Sequence, residues 1–247
     1  MKSVVKYGLL GLLVYGIFLI VYLPATQVLG HVSLPKQVSL AGVSGTIWRG
    51  KAQLATLQGL PVNNLRWSLD FLPLLMGRFN VDVQAGNVRD SQDIAFNGHI
   101  SLSSSRIHVQ QAQAYLPTDL IITMLPLPFP VKAQGRFKIL LNDMDYQQSC
   151  QTVDGSGQWL NAKVVGLNGW IDLGNFDATL GCENGSVLLN VSEPNSFGLT
   201  ARALLPANGK FSVNAKFKPA DNLPEEVHQA AQFFGQPDAQ GYYTLKL

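Results

Sequence analysis

The sequence predicts a mainly β protein: one N-terminal transmembrane helix, then an antiparallel β body of two repeated β-rich units, each ending in a short helix and a strand. Three observations carry this expectation. The first is a long uncharged apolar start, and the second is a body with few charges. Only 14% of the 247 residues are Asp, Glu, Lys or Arg, against roughly 25% in an ordinary soluble domain. The third is turn chemistry: 23 glycines and 13 prolines punctuate short alternating runs, as turn-rich β structure requires.

In chain order, residues 1–6 read as a cytoplasmic tail and residues 7–23 as the anchor. From Tyr7 to Leu23 the chain is densely apolar, which at helical rise spans about 25 Å and approaches the roughly 30 Å bilayer core with small additions at its ends. Lys2 and Lys6 precede it, and Tyr7 and Tyr22 sit near its two ends, a pattern that puts the N-terminus in the cytoplasm. A cleaved signal peptide is the competing reading, but the exit VYLPATQV lacks a clean small-x-small site. Lys2 and Lys6 also account for the whole net charge of +2. The body beyond them is neutral and has no basic field for nucleic acid.

Two units are expected after the anchor, 24–141 and 142–247. Asn-Gly pairs at Asn97-Gly98, Asn168-Gly169, Asn184-Gly185 and Asn208-Gly209 suit the positive-φ positions of type I′ turns and predict four hairpins. NVDVQAG (80–86) and KFSVNAKF (210–217) alternate at period 2, the mark of a half-buried strand. LPTDLIITMLPLPFP (116–130) and LPEEVHQAAQFFGQP (223–237) begin Leu-Pro with acidic residues behind, as helix starts do. Pro126, Pro128 and Pro130 would stop the first helix, and Gly235 with Pro237 the second. Ala-Gln-Gly follows each, at Ala133 and at Ala239, and is expected to open a strand. These matches, with Trp48 set against Trp159, recur at an offset of roughly a hundred residues and suggest a duplication.

The only two cysteines are Cys150 and Cys182. A disulfide is the simplest reading for a pair in an exported body, and two buried free thiols are the alternative. Catalytic chemistry is not evident. GVSGT falls short of a nucleophile elbow, and NDMDY (142–146) lacks the Gly and Glu of a calcium loop and reads as a turn between the units. Phosphate-loop, dinucleotide and zinc spacings are missing, so no enzyme activity, cofactor, metal or small-molecule substrate is expected. Asn184 and Asn190 begin sequons that matter only in a glycosylating host. Trp48, Trp67, Trp159 and Trp170 fall in or beside expected strands, where burial in the core is the ordinary outcome and an exposed contact row the alternative.

The stretch GTIWRG, from Gly45 through Trp48 to Gly50, sits just beyond the anchor. With Arg66-Trp67-Ser68-Leu69, the step Leu74-Leu75-Met76-Gly77 and the Leu-Pro, helix, Ala-Gln-Gly ending, it resembles the N component of the general, or type II, secretion pathway of Gram-negative bacteria. The resemblance spans essentially the whole chain, although each motif is short. It implies a single-pass inner-membrane protein with a periplasmic body, accessory and non-enzymatic, whose partners are other subunits of a machine that exports folded proteins. Its relation to bridge-like β proteins implies an alternative, a periplasmic binder of lipid or another apolar ligand in a hydrophobic β groove. Trp48 and Trp159 are expected to be core anchors at the start of each unit, with Gly45 and Gly50 allowing close backbone passage.

Overall fold

The computed structural model describes residues 2–31, 37–57, 59–123 and 131–246, with side chains from Lys6 onward. Helix α1 (Lys2–Val21) is followed by a short α2 (Ala25–His31). The body then begins with strands β1 (Val38–Ala41), β2 (Ser44–Gly45), β3 (Arg49–Leu57) and β4 (Leu60–Leu69), and helix α3 (Phe71–Leu74). Next come β5 (Phe79–Ala85), β6 (Ala95–Leu102), β7 (Ile107–Pro117) and helix α4 (Thr118–Ile122). The longest strands are β8 (Ala133–Gln147), β9 (Ser149–Gly166) and β10 (Gly169–Glu183). They lead to β11 (Ser186–Val191), β12 (Thr200–Leu205), β13 (Ser212–Phe217), helix α5 (Glu225–Ala231), a short 3₁₀ turn (Gln232–Phe234) and β14 (Tyr243–Lys246).

All of these strands form one antiparallel meander in the order β1-β3-β4 and onward to β14, with β2 paired beside β3. Strand contacts run almost entirely between neighbours in that order, so the body is one layer, with no second sheet stacked on it among the described residues. The register explains how a single layer is stable. One row crosses ten strands through Ala85, Phe96, Ala114, Ile139, Gly157 and Ala178, then Val191, Ala201, Ala215 and Leu245. The adjacent row, on the other face, runs through Gln84, Asn97, Gln113, Leu140, Ser156 and Thr179, then Asn190, Arg202, Asn214 and Lys246. Side chains alternate between faces with period 2. In these rows one face is therefore apolar and the other polar, with Leu140 the lone exception.

Burial is concentrated in two clusters. Ala55, Val62, Ala85 and Ile94 pack with Leu116 and with Leu120 of α4, and Ala162, Leu173 and Phe176 pack with Trp159, Phe197 and Leu223. Most other large side chains of the apolar face are only half-buried. The helices cover parts of it and leave the remainder uncovered.

Several expectations are corrected. The boundary placed between 141 and 142 falls inside β8, which is hydrogen-bonded to β7 and β9 on both sides of it. The units 24–141 and 142–247 thus share one sheet and do not close separately. NDMDY is likewise strand, with Asn142 Nδ2 donating to Asp154 Oδ2 at 3.1 Å. Asn97-Gly98 lies within β6, at a register shift, because a Cβ on Gly98 would meet the Ala112 Cβ at 2.7 Å. Close packing between strands, not a turn, places that glycine. The other three Asn-Gly pairs do sit at strand ends, and Asn184-Gly185 has both residues at positive φ, 49° and 75°.

The two helix expectations also diverge in detail. α4 ends at Ile122, before the prolines at 126, 128 and 130, which lie outside the described residues. α5 and the turn after it end at Gly235 with φ 112°. Ala133-Gln134-Gly135 opens β8, whereas Ala239-Gln240-Gly241 forms the turn before β14. There Asp238 accepts from the backbone N–H groups of Gln240 and Tyr242, and this cap holds the chain back from strand pairing.

Candidate functional site: the helix–body joint and the apolar face

GTIWRG forms a joint in which nearly every polar backbone group of the turn is used. Thr46 N–H donates to Arg49 C=O at 3.0 Å, and Arg49 N–H donates to Thr46 Oγ1 at 3.1 Å. Ile47 N–H donates to Leu23 C=O at 3.0 Å, and Thr46 bridges Pro24. Trp48 Nε1–H donates to Ile20 C=O at 2.7 Å. That carbonyl belongs to the last turn of α1, where helical geometry leaves acceptors short of intrahelical donors, and it also accepts from Leu23 N–H at 3.3 Å. The indole therefore caps the helix from 28 residues away, and its ring packs edge-on against Phe71 at 5.1 Å.

Trp67 closes the joint from the other side. Its Nε1–H donates to Ile47 C=O at 3.0 Å, and the indole lies over Gly50, its cross-strand partner. A Cβ on Gly50 would come within 2.1 Å of Trp67 Cζ2. Gly45, with φ +90°, faces the Arg49 carbonyl so closely that a Cβ would meet it at 2.5 Å. Both glycines thus serve close backbone approach.

Trp48 and Trp159 are not equivalent, contrary to the expected repeat. Trp48 is half-buried in the turn between β2 and β3, whereas Trp159 lies in mid-β9, stacked between Phe137 and Phe176 at 5.5 and 5.4 Å. Trp159 Nε1–H donates to Gln134 C=O at 3.2 Å. Its nearest structural analogue is Trp67, since both indoles lie against a glycine of the neighbouring strand. Trp170 stands at a hairpin end and is 47% exposed.

An aromatic row was not legible in advance. From Trp159 it passes through Phe176 to Phe197 at 6.2 Å, Phe217 at 6.2 Å and Tyr243 at 5.5 Å. These residues come from separate strands and one loop, so only cross-strand register could have aligned them. Arg136 was also missed. It donates to the carbonyls of Val88, Asn87 and Asp93 and stands 4.6 Å from the Tyr115 ring centroid, holding the β5–β6 connection to β8.

Cys150 and Cys182 are joined in a disulfide with Cα atoms 5.6 Å apart, tying the start of β9 to the end of β10. On the polar face, Arg106 Nε and Nη2 donate to Asp145 at 2.9 and 2.8 Å. These hydrogen bonds hold the Asp145 carboxyl below the usual carboxylate range. No group of His, Cys, Asp and Glu able to hold a metal exists among the described residues.

The described residues do not support the membrane anchor expected over residues 7–23. The α1 backbone is helical over Lys2–Val21, so it ends before Leu23, and Tyr7, Leu9 and Leu12 are 74%, 70% and 75% exposed. Among the described residues no helix is long and apolar enough to cross a membrane. The side chains of the first five residues lie outside that description.

The family model for type II secretion system protein N matches residues 36–246. A type II secretion system protein N from Vibrio cholerae is 30% identical, covering 99% of this chain and 98% of the relative. Relatives of the same name from Aeromonas hydrophila and Pectobacterium carotovorum are 27% and 26% identical, each covering at least 99% of this chain. No solved structure matches. With a family model spanning the body and a relative matched from end to end, the chain belongs to the type II secretion system protein N family.

Proposed function

We propose that this chain is a non-enzymatic component of the type II secretion system, anchored in the inner membrane by α1 and working through protein–protein contacts of its periplasmic sheet. The observation that carries the reading is the joint at Trp48. A free leader would need no such cap, whereas here Trp48 holds the last turn of α1, and Ile47 and the Thr46–Pro24 bridge hold the link just after it. The sequence from Lys2 to Val21 supplies a helix of 20 residues, about 30 Å at helical rise, which matches the bilayer core. Lys2 and Lys6 at its start support a cytoplasmic N-terminus.

Recognition without catalysis follows from the sheet's ends. β1 and β14 are edge strands, and an edge offers unpaired N–H and C=O groups to a strand of another secretion subunit. The test is in-cell cross-linking from cysteines placed on β1 and β14, followed by co-purification in mild detergent. Cross-links to secretion-system subunits are expected, and a chain that carbonate washes from membranes and that purifies alone defeats the reading.

A second reading, binding of lipid or another apolar ligand, is favoured by one observation. The apolar face runs unbroken across ten strands without a second layer over it, and exposed apolar area on this scale usually marks a binding surface. Photoreactive fatty acid should label that face if this reading holds, and labelling confined to α1 removes it.

A further inference from the structure

Four features converge beside the exit of α1. First, a slot of about 570 Å³ is walled by Ile17, Ile20, Val21, Trp48 and Phe71, with Arg49 at its rim. Its lining is apolar apart from Arg49 and Thr46. Second, Arg49 also borders an open groove of about 1000 Å³ on the polar face, which contains Lys51 and Arg66. The two bodies of space therefore meet at one guanidinium. Third, Lys51 and Arg66 are cross-strand partners, Arg49 is two residues from Lys51 on the same face, and none of the three is in an ion pair among the described residues; the one carboxylate lining the groove, Asp82, is held by His99 Nδ1 at 2.9 Å. Like charges placed together repel and are ordinarily offset by a counter-charge. Fourth, α3 and the turn after it expose Leu72, Leu75 and Met76 at 74%, 70% and 77%, while Phe71 of the same helix packs on Trp48.

We propose that this junction binds an anionic phospholipid of the membrane that holds α1: an acyl chain enters the slot against Trp48 and Phe71, and the phosphate sits on Arg49, flanked by Lys51 and Arg66. The inference rests on the reading of α1 as a membrane anchor. An apolar slot that ends at unpaired cations fits an amphipathic anion and fits neither a neutral lipid nor a free phosphate. Leu72, Leu75 and Met76 then meet the interfacial layer, which gives their exposure a partner. The depth is consistent, because the slot is walled by the last turn of α1, where headgroups begin.

The test uses the full chain in mild detergent, titrated with phosphatidylglycerol or with phosphatidylcholine of the same acyl chains and read by native mass spectrometry. Wild type should retain phosphatidylglycerol at least tenfold better. Arg49→Gln should lower that preference roughly fivefold, as expected for one cation at a membrane surface. Lys216→Gln, a charge removed on distant β13, should leave it unchanged. Glycerol phosphate, which has no acyl chain, should not displace the lipid. Equal retention of both lipids, equal loss in the two variants, or displacement by glycerol phosphate overturns the proposal. Carbonate extraction of native membranes separates this from the anchor reading: a chain that stays in the membrane yet shows no lipid preference refutes only the lipid site, and a chain that is released refutes both.

Discussion

Replacing Gly50 by alanine should destabilise the body although it adds a single methyl group. The new Cβ would lie 2.1 Å from Cζ2 and 2.5 Å from Cε2 of Trp67, far inside van der Waals contact. The far end of a flexible side chain could swing clear, but these are rigid ring atoms, and the indole is held by its hydrogen bond to Ile47 C=O at 3.0 Å. Either the strands separate or the ring leaves. Overpacking of this kind costs about 1–3 kcal/mol, and the lost hydrogen bond costs about 1 kcal/mol more, so the total is about 2–4 kcal/mol. For a chain of this size that lowers Tm by roughly 4–16 °C, measurable by intrinsic-fluorescence melting in detergent. Gly181→Ala is the control, because no atom lies within 4 Å of its Cβ position. A double-mutant cycle isolates the cause: once Trp67→Leu removes the indole, adding Gly50→Ala should cost little further. Additive losses in the double variant, or a Gly50→Ala melt matching that of Gly181→Ala, would refute the argument.

Further outcomes follow from other contacts. Trp48→Phe keeps a ring against Phe71 but removes the donor to Ile20 C=O, so it should cost about 1 kcal/mol and speed proteolysis between residues 21 and 25, while proteolysis in β8–β10 is unchanged. Reducing the Cys150–Cys182 bridge, or replacing both cysteines by serine, should cost about 3–4 kcal/mol in the chain-entropy model for a loop of this length, seen as a lower denaturant midpoint. Trp159→Ala removes the middle ring of the Phe137–Trp159–Phe176 stack and should cost about 3–5 kcal/mol, checked by the same denaturant series. Asp145 has its carboxyl depressed chiefly by the Arg106 hydrogen bonds. Its contribution is therefore present above the ordinary carboxylate value of 3.8 and lost as pH falls through the lowered value. Melting from pH 5 to pH 2 should drop more steeply for wild type than for Arg106→Gln.

How much was legible depended on the range of the interaction. NVDVQAG (80–86) and KFSVNAKF (210–217) read as strands, and all but Gly86, Lys210 and Phe211 lie in β5 and β13, because alternation is a local consequence of facing one apolar side. Leu223-Pro224-Glu225-Glu226 read as a helix start because φ restriction and dipole chemistry act within one turn. Asn97-Gly98 misled for the same reason: the dipeptide suits a hairpin, but its glycine answers to Ala112 across the sheet, and no local signal distinguishes the two demands. The duplication failed similarly. Short matched words put Trp159 with Trp48, whereas strand pairing gives it the surroundings of Trp67.

By itself the amino-acid order determined the strand-rich body, the apolar start, the cysteine pair and the family, all properties carried by composition, short periodicity or motif order. Tertiary structure alone decided that the fourteen strands of the described residues form one layer, that one face of it is apolar, and that Phe137, Trp159, Phe176, Phe197, Phe217 and Tyr243 stand in a row. Register is set by which residues meet across strands, and a shift of one residue would send each of these side chains to the opposite face. GTIWRG shows the division most clearly. Its glycines and indole mark it as special in sequence, yet only packing could reveal that the indole caps a helix which ends 27 positions before it and leaves Arg49 at the mouth of an apolar slot.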